Sequence, residues 1–556
     1  MRNRLLLIIT LLALLVGAVT LALDLRGRGP LWNALWSITG EEAPIAQLRG
    51  AVEWLGNLTR PQPRLAADVP VDHADVTPYG INTFLQQEVE VAKRERILQM
   101  IADAGFGMIR QQFPWEDIEI HGRGDFTDRR NDLNGDGQPD TISAWDKYDN
   151  IVELADRYGI LIQARLDNPP AWTHADPAIG SFAPPDDVQD YVNYAVAVAE
   201  RYRGRIHYYQ IWNEPNIYPE WGEQAVDPQA YTDLLCRTYR ALKAVDPSIV
   251  VISAPLSPTV SLDSRNLNDF IFLQRMYDAG AGACFDVMAV QGYGFYSGPT
   301  DRRMRTLTLN FARHLYVRDL MVANGDAAKS IWISEAAWNA QPEDPSVVTS
   351  QYGSFGIVTE EEAARYMPLG YQRALEEWPW IGNIAYWFFK RAADYERSQA
   401  FYYFRMVEPD FTPLPIYDSM KHYITTQPPA LYPGVHQAED WAVRLPSSAV
   451  RVAAEGAEFG LAVETTSLRF DYVGTGFSLR LREPGAAGWE TRLYAENPTA
   501  TRISTEILNL PAGTRVDSIT VFDRTAQNRF PWMAAVAVAL GLTAFVLIDA
   551  LRRRTR

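Results

Sequence analysis

Cysteine is nearly absent from this chain: its 556 residues include only Cys236 and Cys284. Two cysteines cannot form the dense disulfide framework that stabilises small secreted domains. We therefore interpret both as small buried apolar residues, Cys236 in a predicted helix and Cys284 just before a predicted strand. Stability must then come from a hydrophobic core, and a hydrophobic fraction of 47% is sufficient to build a large one.

Basic residues are also in deficit, with 52 lysines and arginines against 68 aspartates and glutamates. The resulting negative charge repels phosphate groups, so the folded body is not expected to bind nucleic acid or an anionic membrane surface. A neutral ligand suits this composition better. Aromatic residues, by contrast, are plentiful. The 16 tryptophans and 27 tyrosines exceed what a core requires, and aromatic faces stack on the rings of sugars.

Two long segments, 5–23 and 530–548, contain no charged residue. Each is long enough to cross a bilayer as a helix. Arg2 and Arg4 precede the first segment, and a basic cluster at 552–556 follows the second. We therefore predict a membrane anchor at 5–23, a transmembrane helix at 530–550, both termini in the cytoplasm and an extracytoplasmic body. A cleaved signal peptide is the alternative for the first segment, but the length of the run favours an anchor.

Between these segments the residue pattern divides the chain into three parts. Residues 24–70 combine a proline-rich linker with a short amphipathic helix, in which Ile45, Leu48, Val52 and Leu55 follow helical spacing. Residues 71–430 alternate short apolar strands with longer amphipathic helices. Residues 433–524 change to the two-residue alternation of antiparallel strands and predict a small β-sandwich-like domain. That domain either binds carbohydrate or serves as a spacer, and both readings stay open.

Two glutamates end predicted strands within residues 71–430. The run Tyr208–Trp212 is aromatic and β-branched and leads directly to Asn213 and Glu214, while a second apolar strand begins at Ile331 and ends on Glu335. In parallel α/β proteins the carboxyl ends of the strands carry the ligand site, because the loops there are free to vary. Counting the predicted units places the two glutamates at the fourth and seventh strands. Paired carboxyls at one site are what cleavage of a glycosidic bond requires.

The strings Trp-Asn-Glu-Pro at 212–215 and Ile-Ser-Glu at 333–335 resemble the acid/base and nucleophile strands of retaining glycoside hydrolases of clan A, closest to families 39 and 5. The resemblance implies a (β/α)8 TIM barrel within an α/β chain, with Glu214 as acid/base and Glu335 as nucleophile. It implies a carbohydrate substrate and no cofactor for catalysis. One position departs from the family pattern, because Gln291 stands where a histidine is usual.

The same resemblance assigns roles to further residues. Arg110 and Tyr293 match side chains that hydrogen-bond the nucleophile, and a nearby positive charge would keep that carboxylate ionised. Asn213 matches the residue that binds the 2-hydroxyl group of the sugar. Trp172 and Trp387 match tryptophans that line the sugar-binding cleft. All five are therefore expected at the substrate site.

An insertion after the second predicted strand follows the calcium-loop pattern. It places oxygen ligands at loop positions 1, 3, 5, 7 and 9, the seventh through a backbone carbonyl, and glycine at position 6. These ligands are Asp132, Asn134, Asp136, Gln138 and Asp140. A serine stands at position 12 instead of the usual bidentate glutamate. A structural calcium ion and a plain solvated turn rich in Asp and Asn are both consistent with this pattern.

Together these features predict a membrane-anchored, extracytoplasmic retaining glycosidase that acts on oligo- or polysaccharides. Two rival functions use the same scaffold. A transglycosylase would pass the same covalent intermediate to a sugar hydroxyl group instead of water. A non-catalytic carbohydrate-binding surface protein would need only the fold, and fold does not fix function.

Overall fold

The computed structural model describes residues 15, 19, 20, 22–452, 462–497 and 503–524, which form two compact units. One unit comprises the described residues up to Ala66 together with Val76–Gln427. The other comprises Ala67–Asp75 and the described residues from Pro428 onward. The predicted limits of 71–430 and 433–524 are close to this division. The exception is Ala67–Asp75, which belongs to the second unit and not to a free linker.

The first unit is a parallel β-barrel. Its eight strands are β1 (Tyr79–Thr83), β2 (Met108–Pro114), β3 (Leu161–Asp167), β4 (Tyr208–Ile211), β5 (Val250–Ile252), β6 (Met288–Gln291), β7 (Ile331–Ala336) and β8 (Ile381–Tyr386). They pair in the order β5-β4-β3-β2-β1-β8-β7-β6, and every pairing is parallel. Isolated parallel bridges from Ile252 to Val287 and from Leu256 to Val290 connect β5 with β6, so the ring closes.

Helices connect the strands and cover the outside of the barrel. Before the barrel come α1 (Pro30–Thr39) and α2 (Pro44–Leu55). The connecting helices are α3 (Val91–Asp103), α4 (Asp146–Tyr158), α5 (Val188–Arg201), α6 (Pro228–Val245), α7 (Asp269–Asp278), α8 (His314–Ala323) and α9 (Glu360–Glu377), and α10 (Pro415–Thr426) follows β8. This alternation confirms the predicted TIM barrel. It also places the carboxyl ends of all eight strands at one end of the unit, where a ligand site is expected.

Local sequence explains where these helices begin. Asp227 precedes α6, and its carboxylate accepts hydrogen bonds from two backbone N–H groups of the first turn, which have no partner inside the helix. Thr359 and Glu362 form a capping box at the start of α9. These caps determine where the two helices begin, α6 at Pro228 and α9 at Glu360. The strands between the helices are almost wholly buried, as expected for a parallel sheet covered on its outer face.

The two cysteines are bonded to each other, and the prediction of two separate apolar cysteines was wrong. A disulfide joins Cys236 in α6 to Cys284, which lies just before β6, with 4.7 Å between the Cα atoms. The two cysteines are separated by 48 positions in the sequence, so no local sequence motif predicts the disulfide. Their proximity arises because α6 and the segment before β6 pack side by side in the barrel wall.

The second unit is the predicted small β domain. Its strands are β9 (Ala430–Leu431), β10 (Gly434–Gln437), β11 (Val450–Val452), β12 (Ala462–Glu464), β13 (Ser467–Tyr472), β14 (Gly476–Arg482), β15 (Glu490–Glu496), β16 (Ser504–Asn509) and β17 (Arg515–Phe522). They form two sheets, antiparallel except where β9 pairs with β13. Alternate residues of both sheets, among them Phe470, Leu479 and Ile519, enter one shared core. The predicted sandwich-like arrangement is therefore confirmed.

The predicted membrane segments fall largely outside the residues that the structure describes. All of 530–550 does so, as does most of 5–23, and the few described positions of 5–23 are helical. Within the described ranges no helix combines the length and apolar character that crossing a bilayer demands. Both membrane spans therefore stay predictions. The short amphipathic helix expected at 45–58 is present as α2, followed by a 3-10 turn at Gly56–Thr59.

Candidate active site

A cleft of about 1030 Å³ opens at the carboxyl end of the barrel strands. Both predicted catalytic glutamates line it: Glu214 from the loop after β4, and Glu335 from β7. Asn213, Tyr293 and Trp387 line the same cleft. The closure of the barrel thus brings together five predicted site residues. The first and the last of them, Asn213 and Trp387, are 174 positions apart in the sequence.

Glu335 lies between two strong hydrogen-bond donors. The Nη1 atom of Arg110 donates to Oε1 of Glu335 at 2.8 Å, and the hydroxyl group of Tyr293 donates to Oε2 at 2.5 Å. Burial, reinforced by the charge of Glu335, raises the pKa of Tyr293 well above its usual value, so the phenol keeps its proton and remains a donor. Both carboxylate oxygens are therefore paired with donors that stabilise the negative charge.

The guanidinium group of Arg110 is held in place by the polar interior of the barrel. It is 2% exposed and donates to Asn82 from β1 at 2.8 Å, to Gln210 from β4 at 2.7 Å and to Asn213 at 2.8 Å, in addition to its bond with Glu335. A buried ion pair contributes a defined geometry only when its remaining donors are satisfied. Here four partners fix the arginine, and the arginine in turn fixes the carboxylate of Glu335.

Glu214 has neutral hydrogen-bond partners. The side-chain amide of Gln291 donates to its Oε1 atom at 3.1 Å, and Ser257 provides a second side-chain hydrogen bond. Burial of the carboxyl group raises the pKa of Glu214 to about 8, and the nearby charges of Glu335 and Glu220 add to that effect. The raised pKa favours the protonated carboxyl group, which is the state that a general acid requires.

A third carboxyl group, Glu220, belongs to the same cleft and was missed from the sequence. Its Oε2 atom accepts a hydrogen bond from the amide of Asn213 at 3.2 Å. Burial raises the pKa of Glu220 to about 7, although the neighbouring Arg165 opposes the shift. A continuous series of hydrogen bonds therefore runs from Glu335 through Arg110 and Asn213 to Glu220. The sequence signal for Glu220 is weak: it is a polar residue between Tyr218 and Trp221 in the loop after β4.

Several cleft residues have positive φ angles, a backbone conformation that residues other than glycine rarely adopt. Asn168, Glu214, Phe295 and Gln351 line the cleft with positive φ angles of 53°, 37°, 53° and 57°, and Trp212 next to Glu214 has a φ of 74°. Such conformations cost energy and persist where the surrounding structure enforces them, which is often at functional sites. The loop after β4 is therefore shaped to present Glu214, at some cost in local stability.

The two predicted sugar-contacting tryptophans have different positions. Trp387 follows β8, lines the cleft and packs edge-on against Phe84, with 5.4 Å between the ring centroids. Trp172 does not line the cleft. Its indole N–H donates to the backbone carbonyl of Glu119 at 2.7 Å, and its ring packs edge-on against Trp115. Trp172 therefore packs among the residues beside the cleft, and its predicted contact with the substrate stays a prediction.

The residues of the predicted calcium loop do not fit a metal ion in this structure. Asp132 accepts hydrogen bonds from the N–H groups of residues 135–137, and Asp140 from those of residues 133 and 134 and from the side chain of Asn134. Asp136 accepts from the N–H of Gln138. Across the described ranges, no three His, Cys, Asp or Glu side chains converge as a metal site would require. The alternative reading of the sequence, a turn stabilised by its own carboxylates, describes this loop.

Gln291 occupies the position where the family resemblance leads one to expect histidine. It is 4% exposed. Its side-chain amide donates a hydrogen bond to Glu214, while its Oε1 atom is buried without a hydrogen-bond partner. The sequence marked this position as unusual but gave no role for the glutamine. The structure shows that the amide touches the acid/base candidate and not the nucleophile candidate.

No protein-family model matches the chain, and a search of curated proteins finds no match. Solved structures are similar to it. One is a family 39 glycoside hydrolase from the gut symbiont Bacteroides cellulosilyticus WH2, with 15% identity, 82% of each chain covered and a TM-score of 0.46. Another is a monomeric beta-xylosidase from Caulobacter crescentus CB15, with 14% identity, 83% of this chain and 98% of that chain covered and a TM-score of 0.43. A third is GH5_18 from Streptomyces cattleya in complex with GlcNAc, with 17% identity, 65% and 83% covered and a TM-score of 0.45.

Proposed function

We propose that this protein is a retaining glycoside hydrolase that cleaves O-glycosidic bonds of oligo- or polysaccharides by double displacement. One observation carries the proposal. Glu214 and Glu335 line a single cleft, and their surroundings differ in the way that the two roles demand. An ionised Glu335 suits a nucleophile, and a protonated Glu214 suits a general acid.

The reaction follows from these protonation states. The Glu335 carboxylate attacks the anomeric carbon while Glu214 gives its proton to the departing glycosidic oxygen, which leaves as an alcohol. A covalent glycosyl ester on Glu335 remains, and Glu214 is now ionised. Glu214 then removes a proton from water as the water oxygen displaces Glu335 from the anomeric carbon. Both glutamates return to their starting states, and the product has the configuration of the substrate.

The shape of the cleft supports an oligosaccharide substrate. Its volume of about 1030 Å³ lies just above the range of about 300–1,000 Å³ that is usual for small-molecule pockets. Aromatic rings, including Phe84, Tyr218 and Trp387, lie along it among many hydrogen-bonding groups. Apolar faces combined with hydroxyl-binding groups are the surroundings that a sugar ring needs.

We place this activity outside the cytoplasm, in a protein held to the membrane by its terminal segments. The uncharged runs 5–23 and 530–548 and their flanking arginines support membrane attachment. The disulfide between Cys236 and Cys284 supports an oxidising compartment, because cytosolic proteins seldom keep such a bond. Selective labelling of an added cysteine in the barrel of intact cells would test the location.

The test of the activity is hydrolysis of a panel of aryl glycosides by the full-length chain in detergent. The wild type is compared with Glu335→Gln and with Glu153→Gln, a control whose carboxylate is 65% exposed on α4. We expect the wild type to hydrolyse at least one glycoside with retention of configuration at the anomeric carbon. The activity should persist in Glu153→Gln and be lost in Glu335→Gln. Equal activity in all three proteins would refute the assignment of the nucleophile.

Two other outcomes identify the rival functions. Sugar binding without turnover in the wild type would indicate a carbohydrate-binding protein. Products longer than the substrate, formed through the same retained anomer, would indicate a transglycosylase. Product analysis by chromatography in the same assay distinguishes both from hydrolysis.

A further inference from the structure

The helix α2 turns its apolar face to solvent. Ile45, Leu48, Val52 and Leu55 lie on one side of it and are 84%, 51%, 70% and 53% exposed. A helix on the surface of a globular protein normally buries such a stripe against the core. Contiguous exposed apolar patches mark sites of interaction, whereas single exposed apolar residues are ordinary. The face of α2 formed by these four residues is therefore an interaction surface.

The orientation of α2 is fixed by contacts on its opposite side. Gln47 and Gly50 are buried there, and the amide of Gln47 donates to the backbone carbonyl of Trp32 at 3.3 Å. Gly50 is packed so closely that an added Cβ atom would lie 3.0 Å from the methyl group of Thr39. These polar and close contacts exclude a simple rotation of the helix that would bury the apolar stripe.

The helix pair α1 and α2 is also attached firmly to the barrel. The N–H group of Gly298 donates to the carbonyl of Gly40 at 2.7 Å, and Gly40 has a φ of 64° that a larger residue would not readily adopt. Arg303 forms an ion pair with Glu41 at 2.8 Å and another with Glu53 at 3.3 Å. Whatever binds the exposed face of α2 therefore also sets the orientation of the barrel.

The surrounding sequence indicates what this surface meets. The uncharged run 5–23 ends one residue before Asp24, whose carboxylate accepts hydrogen bonds from the first turn of α1. The chain is thus close to α2 as soon as the run ends. Within that run the described residues Leu15, Val19 and Leu23 are also exposed, by 60%, 49% and 66%. Exposed apolar residues are therefore present both in the described part of the run and on α2.

We propose that α2 lies in the interface of a lipid bilayer, with Ile45, Leu48, Val52 and Leu55 inserted among the upper acyl chains. An amphipathic helix parallel to the membrane plane buries this kind of face in that region. The contact is apolar, so it does not require anionic lipid and is compatible with the acidic body of the protein. Arg49 at the edge of the face is exposed and can reach the headgroups. The catalytic barrel is thereby held against the membrane in one orientation.

The test uses the full-length chain, one copy in each phosphatidylcholine nanodisc. An environment-sensitive fluorophore is attached to Val52→Cys; both native cysteines are in the disulfide, so only the added thiol reacts. The matched control carries the label at Asp233→Cys on α6, where the aspartate side chain is 59% exposed. Nitroxide groups placed shallowly on the lipid acyl chains then quench any label that is in the membrane. We expect several-fold stronger quenching and a blue-shifted emission at position 52.

A second variant tests the proposal independently if the label at position 52 is only partly quenched. Adding Leu48→Glu to the labelled Val52→Cys chain places a charge in the inserted face and should abolish most of the quenching. Its thermal unfolding midpoint in detergent, which needs no enzymatic activity, confirms that the chain is folded. Quenching at position 52 no stronger than at position 233 overturns the proposal. So does protection of the label that appears only at high protein concentration, which would identify a second copy of the chain as the partner.

Discussion

Glu214 and Glu335 are chemically identical side chains on the same cleft, but their surroundings have little in common. Glu335 receives hydrogen bonds from a charged arginine and a phenol, and Arg110 is itself held by three other side chains. Glu214 receives hydrogen bonds only from neutral groups and lies near two other carboxylates. The barrel thus supplies a positive charge beside Glu335, and neutral donors and other carboxylates beside Glu214.

This difference shows how a symmetric scaffold assigns unlike roles. Every barrel strand ends at the same rim, so strand position alone does not distinguish a nucleophile from an acid. The distinction comes from the neighbours: a carboxylate paired with a cation keeps its charge, while a buried carboxyl group near other carboxylates keeps its proton. Four substitutions separate the two environments, in order of decreasing expected effect.

Removal of the nucleophile should have the largest effect. Glu335→Gln keeps the shape of the side chain but cannot form the glycosyl ester, so we expect kcat/KM to fall by about 10⁴-fold or more. The loss should be similar for glycosides with good and poor leaving groups, because bond formation at the anomeric carbon fails in both. Steady-state kinetics with two aryl glycosides of different leaving-group pKa measures this. A loss confined to the poor leaving group would reverse the two assignments.

Removal of the acid should give a loss that depends on the leaving group. For Glu214→Gln we expect kcat/KM to fall by roughly 10²- to 10⁴-fold with a poor leaving group, the usual contribution of general acid catalysis. With a dinitrophenyl glycoside the loss should be much smaller, because that leaving group departs without a proton. The comparison uses the same two substrates as for Glu335→Gln. Equal losses with both would show that Glu214 does not act as the acid.

Weakening the stabilisation of Glu335 should have a smaller effect. Tyr293→Phe removes one hydrogen bond to a charged carboxylate and leaves Arg110 in place. Such bonds contribute about 1.5–3 kcal/mol, so kcat/KM should fall by about 10- to 100-fold, with every 1.36 kcal/mol equivalent to a factor of ten. Tyr296→Phe is a matched control, since that hydroxyl group donates only to the Gly353 carbonyl and is exposed. Similar losses in the two variants would contradict the role of Tyr293.

The sequence predicted most of this architecture, for identifiable reasons. Helix limits such as 228–245 follow from caps that lie next to them in the chain, and strands such as β7 follow from short apolar runs. Glu214 and Glu335 were predicted because they end recognisable strands, and Arg110 and Tyr293 because the family resemblance assigns roles to their positions. Such features are local, and the closure of the barrel brings them together.

The features that the sequence did not reveal depend on contacts between distant segments. The disulfide requires Cys236 and Cys284 to meet through the packing of the barrel wall. The position of Trp172 depends on its ring contact with Trp115 and its hydrogen bond to the carbonyl of Glu119, which hold its ring beside the residues that line the cleft. The outward direction of the apolar face of α2 follows from the residues on its other side, because periodicity defines a face without saying what covers it.

The smallest predicted effect concerns Glu220 and is a shift of a pH profile. In the wild type the activity on an unactivated glycoside should fall as the pH rises through about 8, because Glu214 then loses the proton it must donate. The charge of Glu220 is one of the causes that raise the pKa of Glu214. Glu220→Gln removes that charge, so the pKa of Glu214 should fall and the alkaline limb of kcat/KM should move to lower pH.

The same substitution separates an electrostatic role of Glu220 from a merely structural one. Glu220→Gln retains the length of the side chain and an oxygen that can accept the hydrogen bond from Asn213. The maximum of kcat/KM should therefore change little while the alkaline limb shifts, and Glu153→Gln should shift neither. A lower maximum with an unmoved limb would show that Glu220 acts only by positioning Asn213. In that case burial and the charge of Glu335 would raise the pKa of Glu214 without a contribution from Glu220.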